Sequence, residues 1–74
     1  MTGKPNWKNR LGVAERAVLH EASGRGPISP RLLIEFVLAR HFPEVREEDA
    51  KRALWSLIDQ GLMAFDRSRM VRVR

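Results

Sequence analysis

The stretch LWSLIDQGLM, residues 54–63, contains a change of periodicity that decides how the chain folds. Before Gly61 the apolar residues are spaced by three and four, which is the period of a helix. Gly61 suits the left-handed position that follows a helix C-cap, and Leu62 can then fold back on Leu57 in a Schellman motif. After Gly61 the pattern alternates, as it does in a strand. The stretch therefore predicts a helix that ends at a glycine and passes directly into a strand.

Residues 62–74 predict a short β-hairpin. An apolar segment is followed by the polar residues DRSR and then by the segment MVRVR. Val71 and Val73 then lie on the core-facing side of the second strand, and the arginines that alternate with them lie on the other side. The turn contains no Asn-Gly or Asp-Gly pair, so the sequence leaves its type open.

Three helices are predicted to precede the hairpin, at about residues 9–22, 30–41 and 46–60, because apolar residues recur there at helical spacing. Ser29 followed by Pro30 is a strong start for the second of them, since serine can cap a helix and proline suits its first position. This helix is apolar on almost every side. It therefore either lies centrally in the domain or offers one face to a second subunit.

This order of elements resembles the winged helix-turn-helix superfamily of DNA-binding domains. In that superfamily the third helix typically passes into the hairpin, called the wing, through a Leu-x-x-Leu-x-x-x-Gly-Leu-apolar pattern, which residues 54–63 match. The resemblance covers residues 9–74 and implies one mainly α domain with a small C-terminal hairpin. Residues 1–8 are left as a flexible basic arm, and no particular family is identified.

The resemblance implies DNA binding, with the third helix in the major groove and the wing against the backbone or in the minor groove. Basic residues at matching positions are the candidate contacts. They are Arg67, Arg69 and Arg72 in the wing, Arg46, Lys51 and Arg52 at the third helix, and Lys8 and Arg10 near the first.

An acidic run at the start of the third helix departs from this expectation. Glu47, Glu48 and Asp49 would face phosphates if the helix entered the major groove. One carboxylate can accept a hydrogen bond from cytosine, but three are hard to accommodate. Acidic residues also stabilise the first turn of a helix without any ligand. Either the wing makes most of the contacts, or the domain binds protein and does not read DNA.

Composition and charge agree with a polyanionic partner. The 74 residues suffice for one domain and carry a formal net charge of +5. The charge is +3 over residues 1–28 and +3 over residues 62–74, but −2 over residues 44–61. Basic ends around a nearly neutral body are usual for polyanion-binding proteins, although they also serve solubility. The expected partner is double-stranded DNA, contacted mainly through the wing and the arm.

The sequence predicts no catalytic, cofactor or metal site. It has no cysteine, which removes disulfides and thiolate chemistry, and its serines lack the context of a nucleophile. His20 and His41 are expected to be structural or surface residues. No signal peptide or membrane-spanning stretch is apparent, so the expected location is the cytoplasm and no membrane partner is expected. We therefore predict a small transcriptional regulator that is not an enzyme.

The alternative function is a protein-interaction module of the same fold. Trp55 lies just off the core stripe of the third helix, where it could pack in the core under the wing, stack at a DNA surface or form a dimer contact. Core packing is the first interpretation. Trp55, Ile34 and Leu38 are the candidate dimer or partner interface, and a homodimer is expected. Trp7 lies outside the helical pattern, and the sequence does not place it.

Overall fold

Three helices precede a two-stranded antiparallel hairpin in the computed structural model, which describes the backbone of residues 6–74 and the side chains of residues 12–74. The elements are α1 (Asn6–Ser23), α2 (Pro30–His41), α3 (Glu47–Asp59), β1 (Met63–Phe65) and β2 (Val71–Val73). This arrangement is that of a winged helix-turn-helix, so the predicted fold class is confirmed. None of the helices in the described part of the chain is both long and apolar enough to cross a bilayer.

Helix α1 begins at Asn6, three residues before the predicted start. Residues 6–8, which the sequence assigned to a flexible arm, are therefore helical. The predicted start lay too far along the chain because it was placed close to the first apolar residue of the stripe. The first turn of a helix does not need an apolar face. Residues 1–5 of the predicted arm, and the side chains of Trp7, Lys8 and Arg10, lie outside the described residues.

Helix α2 begins and ends at the residues that the sequence predicted. The Ser29 hydroxyl accepts a hydrogen bond from the backbone N–H of Leu32 at 3.1 Å, and Pro30 occupies the first helical position. At the other end Phe42 has extended backbone angles, because the proline that follows it, Pro43, disfavours helical angles in the residue before it. These signals act through neighbouring residues, so the sequence predicted both ends of α2 correctly.

Helix α3 ends in the predicted Schellman motif. The N–H of Gly61 donates to the carbonyl of Ile58 and the N–H of Leu62 donates to the carbonyl of Leu57, both at 3.0 Å. Gly61 has a φ of +80°, which glycine adopts without a steric penalty. Because this exit is tight, β1 begins at Met63 and packs directly against α3.

The hairpin pairs Met63 with Val73 and Phe65 with Val71, and a third segment joins it. Ile28, in the loop between α1 and α2, exchanges two backbone hydrogen bonds with Val71, at 3.0 and 2.8 Å. In an antiparallel pair the residues after Ile28 run beside those before Val71. The bridge therefore holds the start of α2 next to the hairpin turn, and no sequence pattern predicted this contact.

Side chains from all three helices and both strands form one apolar core. Its largest fully buried members are Leu33, Leu57, Met63, Val18, Val37, Val45 and Val71. Val71 is buried and Arg72 is exposed, so the predicted facing of the second strand is confirmed. The core fixes the hairpin, which we call the wing, against α1 and α3.

Candidate nucleic-acid interface

The wing turn, residues 66–69, is held by the side chain of its first residue. The Asp66 carboxylate accepts hydrogen bonds from the backbone N–H groups of Ser68, at 2.8 Å, and Met70, at 3.1 Å. The Asp66 carbonyl also accepts from the N–H of Arg69 at 3.2 Å. With the backbone closed in this way, the side chains of Arg67 and Arg69 are left exposed at the tip of the wing.

Arg69 has a φ of +63°, in the left-handed region. This conformation costs a residue with a Cβ about 1–2 kcal/mol, and glycine or asparagine is the usual choice for it. The turn therefore keeps an arginine where a glycine would be more stable. Strained positions are concentrated at functional sites, so the strain directs attention to the Arg69 guanidinium.

Three wing arginines are exposed and have no carboxylate partner among the side chains of residues 12–74. Arg72 projects from the outer side of β2, opposite Ala64, while Arg67 and Arg69 occupy the turn. Within residues 12–74 no ion pair joins any of these three guanidinium groups to an acidic side chain. Their full charge is thus available to a polyanion.

The outer side of α3 mixes basic and acidic residues. The predicted contacts Arg46, Lys51 and Arg52 are all exposed. Lys51, however, lies with its ammonium nitrogen 3.0 Å from a carboxylate oxygen of Glu47, so that its charge is largely balanced. Compared with the wing, α3 therefore has a weaker net attraction for phosphates.

Two of the three carboxylates in the acidic run have structural roles. Besides the pairing of Glu47, the Asp49 carboxylate accepts a hydrogen bond from the backbone N–H of Arg46 at 3.3 Å, which satisfies a donor at the start of α3. Glu48 is exposed. All three also lie at the positive end of the helix dipole, which favours them there.

Trp55 lies on the surface, so the interpretation of it as a core residue was wrong. Its side chain is 55% exposed, and its ring centroid lies 5.4 Å from that of Phe65, which is itself 40% exposed. The core volume beneath this part of α3 is filled by Leu54 and Leu57, which lie on the buried face of the helix. The two rings form an exposed aromatic pair where α3 meets the wing.

A groove between α2 and α3 brings together the three residues of the predicted partner interface. Trp55 forms part of one wall, Ile34 and Leu38 contribute from α2, and the cavity measures about 620 Å³. Ile34 is only 7% exposed and belongs to the core, so it can contribute little contact area to a partner. The groove, which we call the α2–α3 groove, is nevertheless one continuous feature.

A buried carboxylate that the sequence did not single out links α1 to α2. The side chain of Glu21 is 2% exposed, and its oxygens lie 3.2 Å from Arg25 Nη2, 3.2 Å from His41 Nε2 and 3.9 Å from Arg40 Nε. Burial acts to raise the pKa of Glu21, but the hydrogen bonds from Arg25 and His41 and the charge of Arg40 outweigh it and hold the pKa below its ordinary value. His41 thus takes part in a polar contact between helices.

A second polar contact holds α3 on α1. Ser56 Oγ and Gln60 Nε2 both donate to Glu15 Oε2, at 2.5 and 2.7 Å. Because these residues are about 40 positions apart in the chain, no local sequence pattern could have indicated the contact. Together with the apolar core, it fixes the direction in which the outer side of α3 faces.

The fold thus brings the wing residues close to α2 and α3, which carry the other described candidate residues. The bridge at Ile28 brings the start of α2 beside the wing turn, and the aromatic pair connects the wing to α3. Comparisons of the chain with protein-family models, with curated proteins and with solved structures found no match.

Proposed function

We propose that this protein binds double-stranded DNA and that the wing supplies most of the contacts, to phosphates. The observation that carries the proposal is the wing turn, which holds Arg69 in a strained conformation and presents Arg67 and Arg69 without carboxylate partners in the described part of the chain. Guanidinium groups match the geometry and charge of phosphate oxygens. A wing of this kind supports affinity for the backbone more than recognition of a base sequence.

Helix α3 has a secondary part in this proposal. Its first turn carries three carboxylates, and entry of that turn into the major groove would bring them near phosphates. Arg52 and Arg46 are exposed beside them and can reach the backbone from the edge of the groove. Lys8 and Arg10 are proposed as further contacts from sequence and charge alone.

The test is the salt dependence of binding to a labelled duplex, measured by fluorescence anisotropy. Each phosphate contact contributes about 0.9 to the slope of log affinity against log salt. Removing Arg67 and Arg69 together by alanine substitution should therefore flatten the slope by about 1.8. Over a fourfold rise in salt, that difference amounts to about a tenfold change in relative affinity.

Arg16→Ala is the matched control for Arg67→Ala. Both variants lose one exposed arginine and one unit of charge, but Arg16 shares a surface pocket with His41 at the C-terminal end of α2, away from the wing turn. If the wing touches phosphates, only Arg67→Ala flattens the slope. If the two substitutions flatten the slope equally, the effect comes from the net charge of the protein and not from the wing. If the wild type does not bind at low salt, the proposal of DNA binding is wrong.

We further propose that the protein acts in transcriptional regulation, in the cytoplasm and as a homodimer. The support for this part is the winged helix-turn-helix arrangement, which commonly serves that role, together with the basic wing. Light scattering of the protein alone and on a short duplex tests the dimer directly. A single copy at high concentration and on the duplex would remove the homodimer from the proposal.

A further inference from the structure

The α2–α3 groove has an apolar and aromatic lining that suits a flat ring, and it has ample volume for one. Its volume of about 620 Å³ lies in the range of roughly 300–1,000 Å³ that is typical of ligand sites. Ile34, Leu38 and Leu54 give it apolar surface, and Trp55 gives it an aromatic wall. Phe65 contacts Trp55 but does not line the groove, so the indole is supported on the wing side and open on the groove side.

The rims of the groove carry hydrogen-bonding groups of both kinds. On α2, Arg31 Nε lies 3.8 Å from Glu35 Oε2, and on α3, Lys51 Nζ lies 3.0 Å from Glu47 Oε2. The side chains of all four are more than half exposed, so the groups can exchange partners at little cost. Donors and acceptors side by side suit the edge of a nucleobase, which itself presents both.

Exposed arginines lie on α3 and in the wing turn, near the groove. Arg52 precedes Trp55 by about one turn of α3. The Ile28–Val71 bridge holds the wing turn, which carries Arg67 and Arg69, beside the start of α2, where Pro30 and Arg31 line the groove. A nucleic-acid strand that crosses the groove would therefore meet positive charge before and after the indole. Aromatic rings set between cations are typical of surfaces that bind unpaired bases.

We propose that the α2–α3 groove binds an unpaired nucleobase of DNA, stacked on Trp55, while the flanking cations hold the adjacent phosphates. This inference rests on the proposed DNA binding and specifies its target as duplex DNA with an exposed single-stranded end or gap.

The experiment compares three labelled probes by anisotropy: a blunt duplex, the same duplex with a five-nucleotide thymidine tail, and the tail sequence alone. The wild type should bind the tailed duplex more tightly than the blunt one. Stacking of one base on an aromatic side chain corresponds to about a 5- to 150-fold change in affinity on alanine substitution. Trp55→Ala should remove the preference for the tail by a factor in that range and leave blunt-duplex binding almost unchanged.

Two further variants sharpen the result. Phe42→Ala removes another exposed aromatic side chain, in the segment between α2 and α3, and should leave the tail preference unchanged. Trp55→Phe keeps a ring at the site and should retain part of the preference. In a Trp7→Phe background Trp55 is the only tryptophan, so quenching of its fluorescence by the tailed probe reports stacking directly.

Each of the other outcomes is decisive. Equal affinity for tailed and blunt duplex overturns the nucleobase site and leaves the proposed function intact. Failure to bind any of the probes overturns both. If Trp55→Ala instead converts a dimer to a monomer in light scattering, a second copy of the chain occupies the groove and the nucleobase proposal is wrong.

Discussion

Arg69→Gly should make the protein more stable while weakening its binding to DNA. The left-handed conformation of Arg69 costs about 1–2 kcal/mol, and glycine removes that cost. Glycine also gains freedom in the unfolded chain, which takes back roughly 0.4–1 kcal/mol. The net gain in the free energy of unfolding is about 0.5–1 kcal/mol, which corresponds to a rise in Tm of about 2–8 °C for a domain of this size.

Two control variants separate the backbone effect from the loss of the guanidinium. Arg67→Gly removes a neighbouring arginine that does not have a positive φ, so it should lower the stability by roughly 0.4–1 kcal/mol. Arg69→Ala keeps the Cβ and hence the strain, and should leave Tm nearly unchanged. Arg69→Gly and Arg67→Gly are therefore expected to differ by about 1–2 kcal/mol, although both lose one exposed positive charge.

Thermal unfolding followed by circular dichroism measures the stability, and anisotropy with the blunt duplex measures the binding. The strained arginine is consistent with a functional constraint if Arg69→Gly raises Tm and both Arg69 variants bind more weakly. If Arg69→Gly lowers Tm as much as Arg67→Gly does, residue 69 is not strained and its conformation does not mark a functional site. If both Arg69 variants bind DNA as tightly as the wild type, DNA binding does not explain the strained conformation of Arg69.

Three other substitutions test what stabilises the fold. Glu21→Gln should lower the free energy of unfolding at neutral pH by about 1–3 kcal/mol, because Arg25 and His41 lose their charged acceptor. Since the folded pKa of Glu21 lies below its ordinary value of 4.5, this group stabilises the wild type above pH 4.5, and that stability is lost as the pH falls through the folded pKa. Urea titrations from pH 7 to 3 should therefore show a smaller loss of stability with falling pH in the variant. Parallel curves of stability against pH would contradict the stabilising role of the ionised Glu21 carboxylate. Gly61→Ala should cost about 1–2 kcal/mol through its positive φ alone, since the nearest atom to the added Cβ is 4.0 Å away. Gly12→Ala, inside α1 and in open space, should instead add roughly 0.5–1 kcal/mol, and urea unfolding of the pair distinguishes conformation from packing.

The polar contacts between helices show why part of the site could not be predicted. Glu21 meets His41 across 20 positions, and Glu15 meets Ser56 across 41. Neither pair has a spacing that a helix or a strand brings together locally. Each depends on how α1 packs against the other helices, which is decided by the whole core.

The exposure of Trp55 likewise depends on how distant elements pack, and local spacing does not decide it. The helical period places residue 55 at the edge of the apolar stripe, where burial depends on what the neighbouring elements supply. Leu54 and Leu57 fill the core on one side, and Phe65 reaches the indole from β1 on the other. Only the position of the wing shows that Trp55 remains on the surface and forms a wall of a groove.

The sequence by itself determined the type and order of the elements and most of their ends. Ser29, Pro43 and Gly61 act on the backbone within a few residues, and the change from helical to alternating spacing is likewise local, so these features can be read without knowledge of packing. Tertiary structure alone decided the bridge between Ile28 and Val71 and the groove beside Trp55. Contacts between distant segments create those features, and the free energy that selects them belongs to the folded domain as a whole.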